Sequence, residues 1–316
     1  MMLPKPRGAF SAEVFEALRS APSRLADTSL PEAENANDTA LALWALYELH
    51  FRGLEDVEED LEWHPAALQL RARLESDLEA RLRAHWVGTA PQGDFAETFF
   101  AFVADHDGPS LARFVQTKAT EEQVLDLLRM RSIYHLKEAD PSAWVVPRLP
   151  TVPKAGLVEL LYDEYGAGDP NRLHHHLFAR GMESVGLRSE YGAYVDDAPA
   201  EVLEQNNAMA LFGLHRRLRG AAMGHLAAFE MTSSLPSRKM VQGLDRLGLD
   251  GPMSAYYDEH VEADAIHEHL AARDICGTLA DDEPDQAAEI LFGAFACLDV
   301  EARFATAMLG AWEDQR

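Results

Sequence analysis

Two histidines and an aspartate recur at helical spacing in one segment near the C-terminus. His260, Asp264 and His267 are separated by four and then three residues. Because an α-helix has about 3.6 residues per turn, these side chains would share one helix face, within roughly 60° of arc. Imidazole and carboxylate ligands bind Fe(II) and leave coordination positions open for dioxygen. The spacing predicts part of an iron site; a solvated acidic helix that happens to carry histidines is the alternative.

Further candidate ligands lie earlier in the chain. Glu164 and His174 flank a stretch with two glycines and a proline, which disfavours a continuous helix. A helix end can direct Glu164 inward, and the next helix start can present His174. Neighbouring helical residues point about 100° apart, so at most one histidine of the run 174–176 is predicted to be a ligand. Glu138, shortly before Pro141, is uninformative by itself.

Together these segments resemble the haem-oxygenase-like diiron oxidases and oxygenases, also described as iron-containing redox enzymes. The resemblance depends on KEADP around Glu138, DEYGAG followed by His174, and HVEADAIH from His260 to His267. The spacings match as well, with 26 residues from Glu138 to Glu164 and 10 from Glu164 to His174. YELHFRG, FGLHRRLRG and FEMTSS are also similar to this family. The similarity extends from about residue 40 to the end of the chain.

The resemblance implies an all-α, haem-oxygenase-like helical bundle with additional N-terminal helices. It implies a non-haem diiron oxidoreductase that binds two Fe2+ ions and uses O2 as co-substrate. The six ligands that carry over are Glu138, Glu164, His174, His260, Asp264 and His267. The sequence leaves open which ligand serves which iron. One arrangement places Glu138, His174 and His267 on one ion and Glu164, His260 and Asp264 on the other.

The resemblance also bears on the reaction. Members that oxygenate nitrogen can carry an additional carboxylate three residues before the histidine that matches His174, and here that residue is Asn171. This difference favours oxidative C–H or C–C cleavage of a small organic substrate, by desaturation or fragmentation. N-oxygenation of an amine or guanidine is the alternative, with Asp163 or Asp169 in place of the missing carboxylate. A metal-free helical binding or scaffold protein is the alternative from another class.

Two groups of residues are candidates for substrate contacts. Arg216, Arg217 and Arg219 suit a carboxylate-bearing substrate, since guanidinium binds carboxylate through two hydrogen bonds. Internal ion pairs are the alternative for these arginines. Tyr256 and Tyr257 lie one turn before His260 and line the pocket or pack in the core.

Helical periodicity recurs along the whole chain, and strand patterns are nearly absent. Thr120 and Gln123 fit a capping box at a helix start. Residues 203–231 are predicted to form one long helix and residues 253–272 another. We expect an N-terminal helical extension over residues 1–110, packed on a diiron domain over residues 111–316.

Composition restricts the compartment and the partners. The net charge is −25, from 28 basic and 53 acidic residues, which disfavours nucleic acid and anionic lipid as partners. Two cysteines are too few for a disulfide framework. The N-terminus has no apolar signal region and no stretch approaches the roughly 20 apolar residues of a membrane span. We expect a cytoplasmic protein with a small-molecule substrate, and the N-terminal helices can support a homodimer.

Overall fold

The computed structural model describes residues 1–27, 30–88 and 93–314, without the side chains of 262–266 and 314. Within these ranges the regular structure is helical and contains no β-strand, so the prediction of an all-α fold is confirmed. The α-helices are α1 Ala9–Ser20, α2 Ala36–Glu48, α3 Pro65–Ala84, α4 Phe95–Ala104, α5 Leu111–Thr117, α6 Glu121–His135, α7 Asp140–Ala143, α8 Thr151–Glu164, α9 His174–Ser184, α10 Ala200–Leu214, α11 Arg219–Met231, α12 Ser234–Leu247, α13 Pro252–His269, α14 Thr278–Asp282 and α15 Ala287–Asp314. A π-helical segment, Leu270–Gly277, continues α13.

Local sequence signals set several helix ends. The predicted capping box is present: the Thr120 hydroxyl accepts from the Gln123 backbone N–H, and the Gln123 side chain accepts from the Thr120 backbone. The side chain of Asn35 caps α2 in the same way by accepting from the Asp38 N–H. Helix α12 ends at Gly248, whose φ of 70° is the left-handed conformation that glycine adopts at low cost. These ends are local properties of the chain.

The prediction of a single long helix over residues 203–231 is wrong. The chain leaves the helical conformation at His215, passes through a short 3-10 turn, and restarts as α11. The His215 ring contacts the Glu75 carboxylate of α3 at 2.9 Å, and Arg219 donates to Glu283 ahead of α15. Neither partner is near in sequence and the break contains no proline. The break between α10 and α11 is accompanied by tertiary contacts, which helical periodicity in the sequence cannot reveal.

Helices α11 and α15 pack with their backbones in close approach. A Cβ atom on Gly224 would lie 1.8 Å from the Ile290 carbonyl oxygen, and one on Gly293 would lie 1.9 Å from the Ala221 carbonyl oxygen. Only glycine permits this separation. The close packing fixes α11, which carries a carboxylate of the metal centre described below.

One hydrophobic core includes residues from both ends of the chain. It contains Val14 of α1, Trp44 of α2 and Phe292 of α15, each almost fully buried. The division into an extension over 1–110 and a domain over 111–316 stays a prediction. No helix in the described parts of the chain has an apolar stretch long enough to cross a bilayer.

Candidate metal centre

A first group of three potential ligands, here called triad A, consists of Glu138, His174 and His260. Their ligand atoms lie within 4.8 Å of one another. Glu138 is in the turn between α6 and α7, His174 is the first residue of α9, and His260 lies within α13. Both histidines are buried and Glu138 is partly buried. Three separate segments of chain therefore meet at one point.

A second group, triad B, consists of Glu164, Glu230 and His267. These ligand atoms also lie within 4.8 Å of one another, and all three residues are buried. Glu164 ends α8, Glu230 lies near the end of α11, and His267 lies in the last turns of α13. Helix α13 thus contributes one histidine to each triad.

The two triads adjoin each other. His174 Nδ1 of triad A lies 3.1 Å from Glu164 Oε1 of triad B, and the His174 and His260 rings are 4.6 Å apart. The His174 Nδ1 atom is buried and, among the described residues, has no hydrogen bond of acceptable geometry. A nitrogen and a carboxylate oxygen at this separation suit two ligands directed at a metal ion. Without metal, burial opposes protonation of His174, but the Glu164 carboxylate raises the pKa of His174 above its usual value.

The donor atoms fit iron. Both triads offer imidazole nitrogens and carboxylate oxygens, a set that suits Fe(II). Neither described triad includes a thiol: Cys276 and Cys297 are buried elsewhere, and burial raises the pKa of each. The residues described therefore can hold two metal ions.

The structure brings together five of the six ligands predicted from sequence, in a different grouping. His260 lies with Glu138 and His174, whereas the arrangement considered above placed His267 with them. The side chain of Asp264 is outside the described residues. Whether these residues bind iron stays a prediction.

Sequence reasoning missed Glu230. It lies within FEMTSS, a segment noted for its resemblance to the family and not for its carboxylate. No histidine or second carboxylate stands at helical spacing beside Glu230, so α11 alone shows no ligand pattern. The available signal was that Glu230 is the one acidic residue of α11, whose sequence is mostly apolar.

The buried carboxylates of the candidate metal centre shift the pKa values of its ionisable groups. Burial and the nearby Glu164 raise the pKa of Glu230, although His267 opposes this. Burial alone would lower the pKa of His267, but the surrounding carboxylates, above all Glu230, raise it to about 9. Without metal, a protonated His267 therefore partly balances the carboxylates.

His260 is held in a form that can bind metal. Burial, together with His174, lowers the pKa of His260 to about 4, so its ring is neutral at pH 7. The Nδ1 atom contacts the Tyr256 carbonyl oxygen at 2.7 Å, which makes it the protonated nitrogen. The other nitrogen, Nε2, then has a free lone pair.

Two residues outside the triads hold Glu138. His135 Nδ1 lies 2.8 Å from Glu138 Oε2, and the Tyr256 hydroxyl lies 3.4 Å from both carboxylate oxygens. Burial keeps the pKa of His135 well below its usual value, so its ring is neutral. Neutral hydrogen-bond donors of this kind orient a carboxylate and leave its negative charge available to a metal ion.

The residues near His174 that bear on nitrogen oxygenation, Asn171, Asp169 and Asp163, have different surroundings. Asn171 and Asp169 are exposed, and the Asn171 side chain donates to Asp169 at 3.1 Å. Asp163 is about half exposed, yet its carboxylate lies 3.3 Å from His267 Nε2, while His267 Nδ1 lies 3.2 Å from Glu230. Asp163 can therefore orient the His267 ring at the edge of triad B.

Two cavities meet at His260. The smaller, about 20 Å³, is bounded by all three triad carboxylates, Glu138, Glu164 and Glu230. The larger, about 360 Å³, is here called the side cavity. It adjoins the smaller cavity, and both are lined by Phe229, Ser233 and His260. The side cavity is within the size range of pockets for small organic molecules.

The arginines proposed for substrate binding are engaged elsewhere or exposed. Arg217 donates to both carboxylate oxygens of Glu79, Arg219 donates to Glu283, and Arg216 is exposed. None of them lines the side cavity. Tyr256 and Tyr257 do line it, as one of the two alternatives for these tyrosines predicts.

Comparison with known proteins agrees with this site. A family model described as iron-containing redox enzyme matches residues 125–302, more than half of the chain. The matched range contains all six residues of the two triads. The chain has no significant match among curated proteins. The predicted haem-oxygenase-like fold is confirmed by the family match and the helical structure.

Proposed function

Since the chain belongs to the iron-containing redox enzyme family, we propose that it binds two Fe2+ ions in triads A and B. We propose further that it uses dioxygen to oxidise a small organic molecule. The observation that carries this proposal is the meeting of two adjoining triads, each with at least one imidazole and one carboxylate, beside a cavity. Bound iron would supply dioxygen activation and electron transfer.

The negative charge of the three buried carboxylates supports the binding of two Fe2+ ions over a site without metal. Glu138, Glu164 and Glu230 contribute −3 and two Fe2+ ions contribute +4, which leaves about +1 with neutral imidazoles. Three carboxylates grouped in a protein interior are costly unless they are protonated, paired or bound to metal. This cost also disfavours a metal-free scaffold as the role of the site.

The protein's own residues perform three tasks around the iron. His135 and Tyr256 fix Glu138, and the Tyr256 carbonyl fixes the tautomer of His260. Phe229, stacked on Tyr134 with ring centroids 4.5 Å apart, stands between the two cavities and limits water at the metal side. The side cavity seats the substrate next to His260.

Oxidative C–H or C–C cleavage is the reaction class that we favour. The exposed position of Asn171 and Asp169 supports it, because neither residue supplies an extra carboxylate to the iron. N-oxygenation would need such a carboxylate from Asp163, which lies at the edge of triad B.

Anaerobic titration with Fe2+ tests the proposal. Wild-type protein should bind two ions per chain, and mixing with air-saturated buffer should oxidise both. Glu164→Gln should lose at least one ion. The matched control is Glu75→Gln, which changes a buried glutamate that also contacts a histidine, His215, outside the triads and should retain two.

Stoichiometry below two in wild-type protein, or equal binding by Glu164→Gln and wild type, would refute the diiron centre. The reaction class requires a second measurement: dioxygen consumption against a panel of small molecules, with products identified by mass spectrometry. An oxime or nitro product would establish N-oxygenation in place of carbon oxidation.

A further inference from the structure

The side cavity connects the surface to the metal centre. Its outer wall includes the exposed residues 106 and 108–110, between α4 and α5. Its inner wall includes the buried residues His135, Tyr256 and His260. A molecule that enters between α4 and α5 would reach His260 with its inner end. The lining of this path therefore decides which molecules reach the iron.

Most of the lining is apolar. Leu127, Met240 and Leu298 contribute buried aliphatic surface between the mouth and the inner end. An apolar lining of this kind favours a hydrocarbon body, since transfer of apolar surface from water gives roughly 25 cal/mol per Å².

The two permanently charged residues in the described lining neutralise each other. Arg131 donates through both terminal nitrogens to the two oxygens of Glu301, at 2.6 Å each, and Gln205 also donates to Glu301. The guanidinium also lies over the Phe304 ring, with 4.7 Å to its centroid. Arg131 and Glu301 thus form a bidentate ion pair with an additional hydrogen bond from Gln205, so neither charge is free for a substrate.

Two side chains in the wall, Tyr257 and Ser237, carry hydroxyl groups. Tyr257 and Ser237 are each more than nine-tenths buried and line the side cavity. Neither side chain has a hydrogen-bond partner in the part of the chain that the structure describes. Hydroxyls both donate and accept, so they satisfy an uncharged polar group such as an alcohol, carbonyl or amide.

We propose that the side cavity binds an uncharged, largely apolar molecule that carries one neutral polar group, held by Tyr257 and Ser237. This inference rests on the proposed function of the adjoining iron centre and names the substrate class for it. It replaces the carboxylate-bearing substrate that the arginines of α11 and the preceding turn suggested. A free carboxylate or ammonium in this cavity would be desolvated without a counter-charge.

Calorimetric titration of the full-length, metal-free protein tests the proposal with four probes of equal chain length. These are 1-octanol, octanoate, octylammonium and zwitterionic 2-aminooctanoate. We expect 1-octanol to bind at least about tenfold more tightly than each charged probe. Metal-free protein is used because a carboxylate could otherwise bind through iron, which would hide the preference of the cavity itself.

Three variants locate the binding. Tyr257→Phe and Ser237→Ala should each weaken 1-octanol binding by about threefold to tenfold, the effect of one hydrogen bond. Ala305→Phe should weaken binding, because Ala305 lines the cavity and a phenyl ring would occupy part of its volume. Thermal unfolding of each variant checks that the fold is kept, and Tyr194→Phe is the control for loss of a phenol outside the cavity.

The proposal is overturned if a charged or zwitterionic probe binds as tightly as 1-octanol, or if none of the four binds. Unchanged 1-octanol affinity in both Tyr257→Phe and Ser237→Ala overturns it as well. These outcomes are independent of the iron titration, so failure of the diiron centre and failure of the substrate class give different results.

Discussion

Two neighbouring residues in the turn after α6 belong to two different buried charged clusters. Lys137 pairs with Glu48 of α2, and both side chains are almost completely buried. The Tyr191 hydroxyl donates to the same Glu48 oxygen at 2.7 Å. Glu138, the next residue, belongs to triad A, beside the carboxylates of triad B.

The clusters differ in how charge is balanced. In the first cluster one lysine balances the charge of one glutamate. In the second, three carboxylates face imidazoles, and the pKa of Glu230 is raised by burial and by Glu164. Breaking a balanced buried pair is costly because the remaining charge has no partner, whereas surplus buried carboxylates suit a bound cation.

Loss of Lys137 should give the largest effect. Lys137→Met leaves Glu48 buried without a counter-charge, which should reduce the free energy of unfolding by about 3–5 kcal/mol. Urea denaturation of metal-free protein measures this change. The double variant Lys137→Met/Glu48→Leu should recover most of the loss, since apolar residues of similar size replace the pair. A single variant as stable as wild type would show that this pair is not a balanced structural unit.

Loss of Glu230 should affect iron far more than folding. Glu230→Gln should weaken Fe2+ binding at triad B at least about 100-fold, more than the loss of an outer partner costs. Bound iron should fall from two ions to one. The unfolding free energy without metal should change much less than in Lys137→Met, because burial already disfavours the charge of Glu230. Retention of two tightly bound ions would remove Glu230 from the ligand set.

The metal-free protein should lose stability between pH 6.5 and 9. The pKa of His267 is about 9 in the folded state, above its usual value of 6.5, so its protonation stabilises the fold. This contribution is fully present below pH 6.5 and is lost as the pH rises through 9, with a magnitude of the order of 3 kcal/mol. Thermal unfolding across this range measures it. His267→Gln should give a flatter profile; an equal slope in both proteins would contradict the assignment.

Removal of one outer hydroxyl should give the smallest effect. Tyr256→Phe takes away the phenol that contacts His135 and Glu138, and should weaken Fe2+ binding at triad A by roughly tenfold. Competition with a chelator would measure the affinity. Tyr47→Phe, which alters a buried phenol outside both triads, is the control. Equal Fe2+ affinity in Tyr256→Phe and Tyr47→Phe would show that the Tyr256 hydroxyl does not support the metal site.

The sequence predicted the helical fold, and it named five of the six residues that form the two triads. The capping box at Thr120 is local chemistry, and the spacing of His260 and His267 follows directly from the helical period. The break at His215 was missed, because its accompanying contacts with Glu75 and Glu283 come from distant segments. Glu230 was missed for a similar reason, since its partners are on α8 and α13.

The sequence by itself determined that His260 and His267 would lie along one face of α13. The tertiary structure decided how they are grouped. His260 and His267 are seven residues apart, about 10 Å along a helix that rises 1.5 Å per residue, so one ion cannot bind both. The partners of each are set by where α6, α8, α9 and α11 bring Glu138, Glu164, His174 and Glu230. Periodicity fixes positions within a helix, but only packing fixes the distance between helices.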